Sequence, residues 1–144
     1  MERALKAWHL VLLAILCLSA SMAKAETVEI TDDHGGLVTS YVSQWSQLAS
    51  QGVKVRIAGP CASACTVLTG YIPRKDICVT PNGSLGFHQA TAQFATDILL
   101  QAYPQDIRDW IDKHGGLTWQ LIWLQAPDIY HYFKKCPPAP GRTS

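Results

Sequence analysis

The sequence is poor in charge. Asp, Glu, Lys and Arg make up 16% of its 144 residues, against about 25% in an average domain. No basic stripe occurs, which excludes nucleic acid as a partner, because such a surface is what neutralises a phosphate backbone. There is no C-x-x-C pair, and Cys61 and Cys65 are spaced C-x3-C. A structural zinc site is therefore not expected, and no residue pattern calls for a metal or other cofactor. No internal repeat is present, so a single domain is expected rather than an array. The most apolar run, Trp8 to Leu18, falls short of the about 20 residues of a membrane span.

That apolar run has another use. Arg3 and Lys6 precede it, and Ala23-Lys24-Ala25 follows as a small-x-small cleavage site, the arrangement of an export signal. Residues 1–25 are read as a signal peptide, and the mature protein as periplasmic or secreted with no membrane span. Setting aside Arg3, Lys6 and Lys24 leaves 9 of the 12 basic residues, and setting aside Glu2 leaves 10 of the 11 acidic ones, a net charge near −1. Residues 26–136 suit one domain with a modest core. Residues 137–144, beginning Pro137-Pro138-Ala139-Pro140-Gly141, have the composition of a disordered tail.

Four cysteines remain: Cys61, Cys65, Cys78 and Cys136. An even number in an exported chain implies two disulfides, and three pairings are open.

Thr27 to Thr31 alternates and is β-branched, a strand. The apolar positions Val38, Tyr41, Val42, Trp45, Leu48 and Ala49 form one helical face between Leu37 and Gln51. Val53, Val55 and Ile57 then alternate as a second strand, so a parallel βαβ unit is expected. A short helix follows from Ser63 to about Tyr71, then strands at Ile77-Cys78-Val79 and Leu85-Gly86-Phe87-His88. The remainder reads as helical: Thr96 to Ala102, a helix after Pro104 through Ile111, Trp119 to Leu124, and Pro127 to Phe133 with Lys134 and Lys135 in its last turn. Trp110, Trp119, Trp123, Tyr130 and Tyr132 are expected to pack these helices on the sheet.

The chemistry-bearing stretch is Val53 to His88. It places Ser63 at a strand-to-helix turn and His88 at a strand exit. A serine hydroxyl becomes a nucleophile when a base takes its proton and backbone N–H groups receive the oxyanion. Ser63 gains from the dipole at a helix start, and the N–H of Ala64 points the same way. The alternatives for these residues are an N-cap role for Ser63 and a loop role for His88.

His34-Gly35-Gly36, Gly59-Pro60-Cys61-Ala62-Ser63-Ala64, Cys78-Val79-Thr80-Pro81-Asn82 and Gly86-Phe87-His88-Gln89 occur in that order, with 25 residues from Ser63 to His88. In order and spacing these pieces resemble the core of the caseinolytic (Clp) protease proteolytic subunit, within the crotonase-like superfamily. The resemblance implies an α/β fold with a short parallel sheet from βαβ units and a helical C-terminal part. It further implies Ser63 as nucleophile, His88 as general base, Gly36 and Ala64 N–H groups as the oxyanion hole, and a peptide or protein substrate. The family's third, acidic member falls in Ile122-Trp123-Leu124-Gln125, which holds no carboxylate; Asp97, Asp106, Asp109 and Asp128 do not match by position. The readings that follow are an exported serine hydrolase, a non-catalytic binding or structural protein on the same scaffold, or a cysteine-based activity with Cys61 or Cys65 reduced. A coenzyme-A enzyme is disfavoured by the short chain and by export.

Overall fold

The computed structural model describes residues 25–138. Most of the segment read as an export signal, and most of the expected tail, lie outside them. β1 (Thr27–Ile30), α1 (Val38–Ser50) and β2 (Lys54–Ile57) make the expected βαβ unit, with Thr27 opposite Lys54 and Ile30 opposite Ile57 in parallel register. α1 forms because its apolar positions recur at helical spacing: Val38 and Trp45 are buried, and Tyr41, Val42, Leu48 and Ala49 pack against the core. Gly52, at φ +68, ends it in the left-handed conformation that glycine adopts without a Cβ penalty.

β3 (Pro60–Ala62) leads through a 3-10 turn, Ser63–Val67, into α2 (Leu68–Tyr71). β4 (Ile77–Val79) and β5 (Ser84–Phe87) follow, then α3 (Gln93–Ala102) and α4 (Gln105–Lys113). The chain closes with β6 (Ile122–Gln125), a 3-10 turn at Asp128–His131 and β7 (Lys134–Lys135).

Two sheets are present rather than one. The first has the order β1-β2-β4-β7, with every pair parallel. The second has the order β3-β5-β6, with β3 parallel and β6 antiparallel to β5. They are consecutive along the chain: β2 bends into β3, β4 bends into β5, and the chain after β1 reaches an isolated bridge between Asp33 and Cys61. Backbone bonding continues through the bend, since the N–H groups of Ala58 and Gly59 both donate to the Ile30 carbonyl and that of Ser84 to the Gly59 carbonyl. Gly59 makes the bend possible. A Cβ at this position would stand 1.9 Å from the Thr31 carbonyl oxygen.

Strand alternation sorts the first sheet into two faces. Ile30, Val55, Ile57, Ile77 and Val79 are buried, whereas Thr27, Glu29 and Lys54 are exposed and Arg56 and Cys78 half-buried. In the second sheet Leu85, Phe87 and Leu124 are fully buried. Phe87 meets the edge of Tyr103 at 5.3 Å between ring centroids and a tilted Trp110 at 5.8 Å, so α3 and α4 are held by aromatic packing.

The region after α4 departs from expectation. Trp119 to Leu124 is not a helix, because Ile122–Gln125 pairs with β5 as β6. The expected last helix shrinks to the 3-10 turn, and Lys134-Lys135 is a strand beside β4 instead of a helical last turn. Trp119 and Trp123 do not pack helices on the sheet: they remain 68% and 38% exposed. No helix among the described residues is long and apolar enough to cross a membrane.

The cysteines pair as Cys61–Cys65 and Cys78–Cys136. Both cysteines of the first pair are fully buried, so neither is a free thiol and the cysteine-based reading falls. The second spans 58 residues and fastens the β7 segment to β4, where the Cys136 N–H also donates to the Val79 carbonyl. Closing so long a loop restricts the unfolded chain. The double variant Cys78→Ala/Cys136→Ala is expected to lose about 2–4 kcal/mol, read as a lower denaturant midpoint. An unchanged midpoint would show that this bond contributes nothing to the sheet edge.

Candidate active site

β3 and β5 run side by side, with Pro60 opposite Ser84, Cys61 opposite Leu85 and Ala62 opposite Gly86. Because the pair is parallel, Ser63 and His88 both emerge past the same ends of neighbouring strands. The two are half-buried. Ser63 has φ +57 and is the one described non-glycine residue at positive φ. A left-handed conformation costs an L-residue about 1–2 kcal/mol, so the surrounding contacts must impose it.

Three sets of contacts do so. First, the Cys61–Cys65 disulfide brackets the turn from both sides. Second, Thr66 Oγ1 donates to the Ser63 carbonyl at 2.6 Å and lies 2.6 Å from the Tyr103 hydroxyl. Thr66 has one proton and uses it on Ser63, so Tyr103 is the donor in the second bond. Burial pushes the Tyr103 phenol above its ordinary range. Third, the Asp33–Gly36 loop presses on the elbow. The Asp33 N–H donates to the Pro60 carbonyl, and the Ala62 N–H to the Asp33 carbonyl. A Cβ on Gly35, itself at φ +79, would come within 2.8 Å of Ala62 O, Ala64 N and Ser63 Cβ. Only glycine fits there.

Asp33 organises that loop. Its Oδ1 accepts from the Gly35 N–H at 2.8 Å and from the Tyr41 hydroxyl at 2.7 Å. Burial, reinforced by the bond to Asp33 and by its charge, pushes the Tyr41 phenol up to about 12.

The Ser63 hydroxyl is not an N-cap. The cap position is Ala62, with no side-chain capping bond. Among the described residues neither Ser63 Oγ nor a ring nitrogen of His88 has a hydrogen-bond partner, and the two are not bonded to each other. The N–H groups of Gly36 and Ala64 likewise have no backbone acceptor there. The hydroxyl, the imidazole and the two N–H groups are thus each uncommitted among the described residues.

Asp33 is the carboxylate on the elbow loop, and its Oδ1 is taken by Gly35 and Tyr41; the four aspartates weighed for the third position have other surroundings. Asp106 forms a two-point pair with Arg74 at 2.5 and 2.9 Å, which holds its carboxyl below the usual range. Asp97 is engaged by Gln93 and Asp109 by Gln105. Asp128 opens the 3-10 turn after β6. Beside His88 runs the segment into β6, with Ile122 opposite Phe87 and the Gln89 N–H donating to the Thr118 carbonyl. That segment, Thr118 to Ile122, contains no carboxylate. Trp123 and Leu121 lie over Gly86, where a Cβ would come within 2.7 and 3.1 Å of them.

Sequence reasoning missed Thr66, Tyr103 and Tyr41. Thr66 carried a signal, since a threonine three residues after a turn residue can bond back to its carbonyl; the two tyrosines carried none.

No family model matches the sequence, and no curated protein is matched. Solved structures are similar to this chain at modest TM-scores. One is a peptidase from Plasmodium falciparum, with 11% identity over 76% of this chain and 75% of that one, at a TM-score of 0.49. Another is a ClpP1 mutant from Listeria monocytogenes, with 15% identity over 74% of this chain and 86% of that one, at a TM-score of 0.37. What the site can do is argued from its own side chains.

Two outcomes test the site's construction. Thr66→Val leaves both the Ser63 carbonyl and the Tyr103 hydroxyl unpaired and should cost about 2–4 kcal/mol, whereas Tyr103→Phe removes one bond and should cost about 1 kcal/mol. Equal costs by chemical denaturation would contradict the two-bond role of Thr66. The Tyr41 phenol, raised from 10 to about 12 in the fold, keeps its proton more tightly folded than unfolded. Its stabilising contribution is therefore complete below pH 10 and lost as pH rises to about 12. Melting temperature should fall less steeply over that window in Tyr41→Phe than in the parent; identical slopes would be the contrary result.

Proposed function

We propose that this chain is an exported serine hydrolase acting on peptides. The observation that carries the reading is Ser63: a hydroxyl held at φ +57 on a strand-to-helix elbow, uncommitted, beside the strand end that bears His88. In this reading His88 removes the Ser63 proton as Oγ attacks the substrate carbonyl. The N–H groups of Gly36 and Ala64 receive the oxyanion. Collapse breaks the peptide bond, and His88 returns the proton to the leaving amine. Water, deprotonated by His88 in turn, then releases the acyl group and regenerates Ser63. Two disulfides are consistent with an oxidising compartment, and residues 1–25 supply the export signal.

Among the described residues no carboxylate is bonded to the His88 imidazole, so slow turnover is expected. Losing that group lowers kcat by about 10⁴ in a serine protease. The same observation favours a second reading, a non-catalytic exported binding or structural protein that keeps the scaffold.

Fluorophosphonate labelling separates the two. The protein is expected to take up one label, absent in Ser63→Ala and strongly reduced in His88→Ala. Absence of label, or equal label on Ser63→Ala, would leave the non-catalytic reading.

A further inference from the structure

The outward face of the four-stranded sheet carries a second feature, away from Ser63. Side chains alternate along each strand, so Lys54 and Arg56 of β2 share this face, and the register aligns Arg56 with Cys78 and Cys78 with Lys134. These residues, with Asp76 and Pro137, line an open cleft of about 250 Å³. Its floor is partly apolar, with Cys78, which is bridged to Cys136, and Pro137 among the lining residues.

Arg56 and Lys134 are held in place. Arg56 Nε pairs with Glu29 at 3.2 Å and its NH1 donates to the Pro137 carbonyl at 3.2 Å, leaving the guanidinium 22% exposed with N–H groups to spare. Lys134 Nζ donates to the Lys75 carbonyl. Asp76 is answered by Lys75 at 2.8 Å, which draws its carboxyl down, with Lys54 and Lys134 adding to the effect. Lys54 has no carboxylate within ion-pair distance among the described residues. Once the Arg56–Glu29 and Lys75–Asp76 pairs are discounted, the two ammonium groups of Lys54 and Lys134 remain, a charge of +2 across a partly apolar hollow. In a chain with so few charges this concentration of one sign is unusual.

We propose that this cleft binds a phosphate dianion, free or as a monoester whose substituent rests on the apolar floor. Charge complementarity selects the occupant. The surplus of two matches a dianion, and the three cations converge from two strands, as the oxygens of one phosphate require. A cleft of about 250 Å³ holds one phosphate and a small substituent, not a nucleic-acid backbone. The proposal is independent of Ser63, so failure of hydrolase activity would leave it standing.

The test uses the full chain with disulfides intact, titrated calorimetrically with inorganic phosphate and with phenyl phosphate. Both should bind saturably, weaken as salt rises, and lose about tenfold or more in affinity in Lys54→Gln/Lys134→Gln. Acetate at equal concentration should not compete. Lys54→Glu, at an exposed single position, serves as a second variant should the double one fail to fold. Vesicles of phosphatidylcholine with phosphatidic acid, against phosphatidylcholine alone, identify the source. Retention on the former only, lost in the variants, assigns a lipid phosphomonoester; binding of the free ligands alone assigns a soluble one. No saturable binding by any probe, effective competition by acetate, or unchanged affinity in the variants would overturn the proposal.

Discussion

The carbonyl oxygen of Ser63 is the acceptor on which the elbow depends. A serine at positive φ relaxes to the ordinary helical or extended region unless something fixes its peptide units. Thr66 Oγ1 holds that carbonyl from inside the turn, and Tyr103, just past the end of α3, holds Thr66. Through this short chain of donors, packing of Tyr103 and Trp110 of the helical half against Phe87 is linked to the position of a single hydroxyl. The disulfide and the Gly35 loop close the remaining directions.

Much of the first half was legible in the sequence. β1, α1, β2 and β4 fall within about a residue or two of their expected bounds, because strand alternation and the helical face of α1 are unambiguous and Gly52 supplies a stop. The elbow, too, was announced by Gly59-Pro60 and small residues. What could not be read was the conformation of Ser63, since positive φ in a serine is imposed from outside. The disulfide pairing was equally closed to sequence: four cysteines permit three connectivities, and only the fold selects one.

The second half misled for a physical reason. In β6 and the residues before it, Leu121 and Trp123 take one face while Ile122 and Leu124 take the other. With both faces apolar, the period of two vanishes into a continuous apolar run that reads equally well as a helix. The short β7 was invisible for a different reason. Two lysines have little strand preference, and they pair with β4 because Cys136 fastens the chain there. The bend of β2 into β3 and β4 into β5, which turns one sheet into two, likewise rests on tertiary bonding that no local pattern reports.

The position of β7 sets an order on assembly. A chain emerges amino end first, and β4 is available long before the residues that lie beside it. Until Lys134, Lys135 and Cys136 arrive, the backbone groups of β4 on that side have no strand partner and the thiol of Cys78 has no mate. An unmated strand edge invites pairing with another chain. The interval between synthesis of Val79 and arrival of Cys136 is therefore the period of greatest exposure to misassembly, and a thiol oxidised prematurely within it would choose among the wrong neighbours.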